Sequence, residues 1–444
     1  MAKTRVSGPI SRLTIAILTR AAYPWHGHGG LERHVYDLAR HLMSRDVCVT
    51  LVTPPDKRTV PPSSAAQPGG VFDDPRFERR IVRYVTFPFA GRRGTTVVDR
   101  STAYPLFGYR AGSVVAGMVA RGEADVVYGL GAAALGYAQA RRRGARAPFI
   151  FNPQGLEEFG ATGDRTRAGG RGLGLGTLKG IGYAPLRAAV RSCARAADIV
   201  IATDHVLEPV VLRHLGVEPA RVRVVPNAID IDACDRLAST DHGRAMRARH
   251  SIADNEIVLL SVGRLEANKG FHVLAPALAS LAREPRWRWV VVGEGPYRSA
   301  IEHAVTASRV RDRVLFAGRV TDPELHAWYE AATLFVHPTL YEGSSLVTLE
   351  AMAHRRPVVA TLAGGLPDKV KPGVSGWLVE PGNVEALGAA LREAVAARER
   401  LSDMGAEGRR TAETVFAWSH VADQFLALCT ELVSGGDTAR SPVS

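Results

Sequence analysis

Four cysteines in 444 residues, none in a Cys-x-x-Cys pair and none beside histidines at ligand spacing, leave neither a disulfide framework nor a structural zinc site. A reducing, cytoplasmic setting is expected. Long apolar runs are missing too: residues 13–18 are too brief and lack the cleavage pattern of a signal peptide, and residues 126–140 fall short of the ~20 that a spanning helix needs. Aromatics make up 7% and do not interleave with basic residues, which argues against a nucleic-acid surface. Acidic residues are outnumbered, 44 against 56 Lys+Arg, and the resulting +12 suits an anionic partner such as a phosphorylated small molecule or an acidic membrane. An Arg-biased composition also spreads such charge over solvated surface, so local pattern has to decide.

The apolar (46%) and charged (23%) fractions are those of a folded globular chain, and the length exceeds what one core usually serves. Short aliphatic runs alternate with Ala, Leu and Arg-rich segments of helical length, the pattern of βαβ units around parallel sheets. One series of strands is predicted at residues 13–18, 47–53, 124–129, 148–152, 198–203 and 222–227. A second starts afresh at 256–263 and continues at 287–295, 313–318, 334–338, 357–361 and 375–381. Two α/β domains are expected, 1–227 and 228–415, with 227–255 as the linker, a helix at 416–433 and a frayed tail at 434–444. Stretches 54–70 and 160–180 read as loops. In 183–196, Arg187, Arg191 and Arg195 share one helical face; it reads as solvated surface, with a membrane contact as the alternative.

Chemistry concentrates in a few places. Gly29 and Gly30 follow the first strand and open a helix with apolar side Leu31, Val35, Leu38, Ala39 and Leu42, so exposed amides there can meet an anion. Nearby His26, His28 and His34 lack a carboxylate or thiol at ligand spacing, and no metal is expected. Gly263, Arg264 and Lys269 follow the first strand of the second series, where two cations before a helix suit a departing diphosphate. Glu342 and Glu350 have seven residues between them, the second inside a helix that Ser344 or Ser345 would cap. Eight helical residues rise about 12 Å, so the two carboxylates could grip opposite ends of an elongated ligand, a sugar and a ribose. The fragment at 293–295 lacks the third glycine of a dinucleotide fingerprint, which discounts a nicotinamide cofactor. Asp230 and Asp232, remote from the other motifs, read as structural.

These residues together resemble the retaining glycosyltransferases of family four. The likeness rests on Gly29-Gly30, Pro226-Asn227, Gly263-Arg264 with Lys269-Gly270, Gly293-Glu294-Gly295-Pro296, Phe316-Ala317-Gly318, Glu342-Gly343 through Glu350-Ala351, Gly364-Gly365, and Gly376 to Val379. It implies an α/β GT-B fold, two facing Rossmann-like domains with a C-terminal helix crossing back. It also implies transfer of a hexose from a UDP- or GDP-sugar to a sugar, lipid-linked or small-molecule acceptor held by the N-terminal domain, without metal or other cofactor. By that likeness Arg264 and Lys269 neutralise the diphosphate and Glu342 contacts the donor sugar. Glu350 takes the ribose, and Gly343, Ser344, Ser345 and Leu346 offer amides. Arg319 and Val320 line the base, Gly29, Gly30 and Gly263 approach the donor, and Gln154 and His26 stand on the acceptor or sugar side. The sequence departs from the family in two places: Gln154 holds a position where many members have His, and Ser344-Ser345 replaces a frequent aromatic-Gly pair. The rival readings are an epimerase or phosphorylase on the same fold and a non-catalytic anion-binding protein.

Overall fold

The computed structural model describes residues 12–27, 29–56, 71–85, 96–154, 156, 159, 183–284 and 286–438. Most of 54–70, all of 160–180, His28 and residues 439–444 therefore lie outside the described residues.

Strands whose side chains are apolar on both faces are stable only when helices cover both faces, and the chain builds that sandwich twice. The first sheet comprises β1 (Thr14–Leu18), β2 (Cys48–Thr53), β3 (Phe77–Ile81), β4 (Val126–Leu130), β5 (Phe149–Asn152), β6 (Ile199–Ala202) and β7 (Val222–Val224). All pairs are parallel, in the order β3-β2-β1-β4-β5-β6-β7. Ile15 and Ile17 join one core layer with Val35, Leu38 and Leu42, while Ala16 and Leu18 face the opposite layer with Phe107, Val115 and Tyr137. The second sheet comprises β8 (Ile257–Val262), β9 (Trp287–Val292), β10 (Val314–Gly318), β11 (Leu334–His337), β12 (Val358–Thr361) and β13 (Gly376–Val379), again all parallel, in the order β10-β9-β8-β11-β12-β13.

Strand order reverses between β1 and β4 and between β8 and β11. Ligands in such sheets bind at the carboxyl ends beside those switch points. Gly29-Gly30 lies on the connection after β1, Lys269 on that after β8 and Glu342 on that after β11.

Two expectations need correction. The sequence pattern missed β3: Phe-Glu-Arg-Arg-Ile carries no apolar run, because an edge strand can present charge to water and is protected by it. Residues 227–255 are also not a bare linker. They fold into helices Ile231–Leu237 and Thr240–Arg249, and the second packs against helix Asp322–Ala331 of the later unit. Asp230 caps the first of these by accepting from the Ala233 amide at 2.9 Å and pairs with Arg40, a structural role.

The chain crosses between units twice, side by side: the Ile229 amide donates to Phe416 O (2.8 Å) and the Trp418 amide to Ile229 O (3.1 Å). Helix Trp418–Thr438 then lays Trp418, Val421, Phe425 and Cys429 into the first unit's core layer beside Val35 and Leu38, and it runs past residue 434. Among the described residues no helix is long and apolar enough to cross a membrane. On helix Ala184–Ala196, Arg191 is tied down: its Nε donates to His214 O at 2.9 Å and its guanidinium lies over Phe159.

Candidate functional site

The site forms where three loops of the later unit meet the first helix of the earlier one. Loop 265–270 is bonded to the segment after β11, since Leu340 N donates to Asn268 O (2.7 Å) and Thr339 Oγ1 to the same oxygen (3.0 Å). Gly270, at φ 70°, makes this contact: a Cβ there would stand 1.9 Å from Pro338 O. From the other side Gly364, at φ 52°, presses against Glu342 O, which a Cβ would approach to 1.8 Å, and Gly365 N donates to Gly343 O at 3.1 Å. These contacts fix the backbone of Glu342.

Its side chain is fixed equally firmly. Lys269 Nζ and His337 Nε2 each lie 2.8 Å from Glu342 Oε2. His337 ends β11 fully buried, and its Nε2 must carry the proton to donate to a carboxylate. Burial alone would raise the Glu342 pKa; the His337 hydrogen bond and the Lys269 charge outweigh it and hold the carboxyl at about 2. Glu342 is therefore an ionised acceptor at neutral pH, unsuited to donate a proton.

Beneath it, Lys369 is wholly buried and its Nζ reaches Ser344 Oγ (3.1 Å) and Gly365 O (3.2 Å), with the Phe416 ring 5.2 Å away. Burial lowers its pKa against the opposing charges of Asp204, Asp368 and Glu342. Ser345, one of two candidates for the cap, accepts from Thr348 N at 3.3 Å and opens helix Leu346–Ala353.

A cleft of about 210 Å³ is lined from the later unit by Glu342, Gly343, Ser344 and Leu346, and from the earlier unit by Arg20, Gly30, His34 and Gln154. Helix Gly30–Met43 starts at its wall with Gly29 as N-cap and, among the described residues, no side-chain cap, so its first amides can meet an anion, although the Glu32 carboxylate lies against Gly29. A Cβ on Gly30 would sit 3.6 Å from Leu346 Cδ1, which measures how closely the units approach. His34 is buried with neither ring nitrogen bonded among the described residues, and burial lowers its pKa to about 4, so it faces the cleft neutral.

Glu350 lines an adjoining cavity that shares Leu346. Its Oε2 accepts from Tyr329 OH at 2.8 Å. Arg33, from the first helix, reaches across that cavity and grips Asp322 through both carboxylate oxygens at 2.8 and 2.7 Å. Behind it Cys234, His326 and His354 cluster with ligand atoms within 4.8 Å of one another. The nearest His326 and His354 nitrogens are 2.7 Å apart, and His354 Nδ1 meets Glu330 at 2.6 Å. Two nitrogens on one tetrahedral zinc stand about 3.3 Å apart, so this spacing is that of a hydrogen-bonded relay.

Of the residues expected from sequence, Gly30, Gln154, Lys269, Glu342, Gly343, Ser344, Ser345 and Leu346 converge, with Gly29 at the rim and Glu350 next door. Others do not. Arg264 is 75% exposed and pairs with Glu266 at 3.0 Å. Gly263 follows β8, while Arg319 is exposed and Val320 half-buried on the loop after β10; none of them lines either cavity. His26 is buried, its Nε2 meeting Pro54 O and its Nδ1 Ala22 O, both at 3.2 Å, and it lines neither cavity, a correction to its expected place beside the acceptor. Arg20, His34, His337 and Lys369 were missed. Only His337 carried a signal, a polar residue at the carboxyl end of an apolar strand.

Two facing Rossmann-like units, each with its switch point opening on one shared cleft, define the GT-B class. The family model described as Glycosyltransferase Family 4 matches residues 28–233, and that described as Glycosyl transferases group 1 matches residues 244–411. The chain belongs to glycosyltransferase family four. It is 35% identical over 229 residues to a D-inositol 3-phosphate glycosyltransferase of Geodermatophilus obscurus, covering 49% of each chain. The chain spans about half the length of the curated relatives it matches. Sucrose-phosphate synthase from Thermosynechococcus elongatus shares the fold at TM-score 0.73 and 23% identity, over 96% of this chain and 100% of that one. Anabaena HepE in complex with UDP-glucose does so at TM-score 0.67 and 20% identity, over 95% and 100%.

Proposed function

We propose that the chain transfers a hexose from a nucleoside diphosphate sugar to an acceptor hydroxyl, with retention of anomeric configuration and without a divalent metal. The observation that carries the reading is the Glu342 carboxylate, held ionised between Lys269 and His337 on the floor of a cleft that both units line. In this reading the donor sugar's hydroxyls donate to Glu342. The diphosphate meets the Lys269 ammonium and the first amides of helix Gly30–Met43, which take up the negative charge that grows as the anomeric C–O bond breaks. The acceptor oxygen forms the new bond on the same face, and its proton passes to the departing phosphate oxygen. Glu350 in the adjoining cavity is placed for the ribose.

The complex of HepE with UDP-glucose supports a sugar nucleotide as donor. Relatives named as glycosyltransferases disfavour an epimerase. Arg264 and Arg319 enter this reading only by moving toward a bound donor. Work in the cytoplasm belongs to it, as does a peripheral membrane contact for a lipid-linked acceptor.

The test is a thermal-shift panel of UDP, GDP, ADP and their sugars, followed by NMR of the product's anomeric proton with EDTA present. One nucleotide family should raise the melting temperature, since a ligand bound only by the native state stabilises it. No shift with any of them, or an inverted product, refutes the reading.

A further inference from the structure

Beside the Glu342 cleft, within the earlier unit, lies a second cavity of about 110 Å³. One part of its wall is apolar and buried, Phe107, Leu130, Leu156, Leu186 and Val190, while Arg20, Tyr104 and Gln154 make the rest polar. Against the apolar part a bare sugar would leave hydroxyls without partners, a cost that an apolar body avoids. The two cavities share Arg20, Leu31 and Gln154 as lining, so these residues form the neck between them.

Arg20 is the informative residue. It is half-buried, it donates to the Tyr104 hydroxyl, and its guanidinium lies 4.8 Å from that ring's centroid. Both contacts are with a neutral phenol, and among the described residues no carboxylate pairs with Arg20. Of the guanidiniums lining the cavity beside Glu350, Arg33 and Arg40 are each paired with an aspartate, and Arg236 has no acid partner among the described residues. A guanidinium left with a neutral partner at the junction of a wet cleft and an apolar cavity is suited to a phosphate, which it can bind through two N–H groups.

Resting on the transferase reading, we propose that this cavity seats the acceptor, and that the acceptor is an amphiphilic phosphate. Its apolar body fills the cavity, its phosphate sits at Arg20, and its hydroxyl-bearing part projects past Gln154 toward Glu342. The order of surfaces along the path, apolar wall, cation, then the sugar-facing carboxylate, matches the order of those parts.

The test is calorimetry on the full chain saturated with UDP, using octyl phosphate below its micellar concentration, inorganic phosphate and octyl glucoside as probes. Octyl phosphate should bind at least tenfold tighter than either of the others. Arg20→Gln should reduce it to the level of octyl glucoside, Arg20→Lys should keep part of the preference, and Val190→Trp, which fills the cavity, should weaken both octyl compounds. Equal affinity for octyl phosphate and octyl glucoside, or an Arg20→Gln protein that binds octyl phosphate unchanged, overturns the proposal. The heat of UDP binding, measured first on each protein, reports separately on the transferase reading and on the integrity of each variant.

Discussion

Replacing Glu342 by Gln removes a charge from a site built around it, and the structure fixes what should follow. The carboxyl is held at about 2 against an ordinary 4.5, so its ionisation favours the folded state. At 1.36 kcal/mol for each tenfold, that contribution is roughly 3 kcal/mol. Because the folded value is the depressed one, the stabilisation is complete above pH 4.5 and is lost as pH falls through about 2. Glu342→Gln should therefore melt several degrees lower at pH 7, and the gap to the native chain should close between pH 4.5 and 2. Function should split in the opposite sense. The Lys269 ammonium, released from its partner, is free for a diphosphate, so UDP or GDP should bind at least as tightly as to the native chain. Transfer should nevertheless fall about 10²-fold or more, as when an oriented hydrogen-bonding group is removed from a reacting centre. Differential scanning calorimetry across pH and nucleotide titration measure the two halves. A melting gap that does not change with pH, or a tenfold loss of nucleotide affinity, refutes the reasoning.

Glu350→Ala removes a charged acceptor from the adjoining cavity and should weaken nucleotide binding about tenfold to a hundredfold by calorimetry, the range of a charge-assisted hydrogen bond, with the melting temperature little changed. Gly364→Ala places a Cβ 1.8 Å from Glu342 O at a left-handed φ, so the loop must shift; circular dichroism should stay native while turnover drops by an order of magnitude or more. Arg33→Met breaks a half-exposed ion pair between the units and should cost under about 1 kcal/mol of stability in urea unfolding, while small-angle scattering reports a wider cleft. Transfer should survive exhaustive EDTA treatment unchanged, and a loss restored by Mg²⁺ or Mn²⁺ would contradict the metal-free reading.

How much of this was legible in the sequence depended on whether a residue's role was local. The aliphatic strands could be read because burial on both faces demands an unbroken apolar run, and Glu342, Lys269 and Ser345 because each sits on a loop that directly follows such a strand. β3 was illegible for the converse reason, since its charged residues satisfy an edge and leave no apolar pattern. Lys369 and Arg20 were illegible because nothing near them in sequence marks them. Lys369 is buried only because the turn at Gly364-Gly365 folds it under Ser344, and Arg20 lies between two cavities only because β1 and β4 run side by side and bring it near Leu130. His26 shows the opposite failure: a histidine beside a glycine-rich turn attracts a functional reading, yet its imidazole is taken up by backbone carbonyls, Ala22 O in its own loop and Pro54 O after β2.

The contact between Lys269 and Glu342 also bears on how an empty cleft stays stable. A site rich enough in positive charge to hold a diphosphate repels itself when vacant, and the nearest stable arrangement pairs the cation with an acid already at hand. Glu342 does this at 2.8 Å while His337 holds the same oxygen from the buried side. Under the transferase reading, a diphosphate that takes Lys269 frees that carboxylate to accept from sugar hydroxyls, while His337 keeps it from moving. The two ends of the donor are then coupled through one side chain: a nucleoside diphosphate without its sugar must break the ion pair and receives nothing from Glu342 in return, whereas the intact donor replaces what it breaks. The coupling follows from a single shared oxygen atom, and it requires no movement of the backbone that Gly270 and Gly364 lock in place.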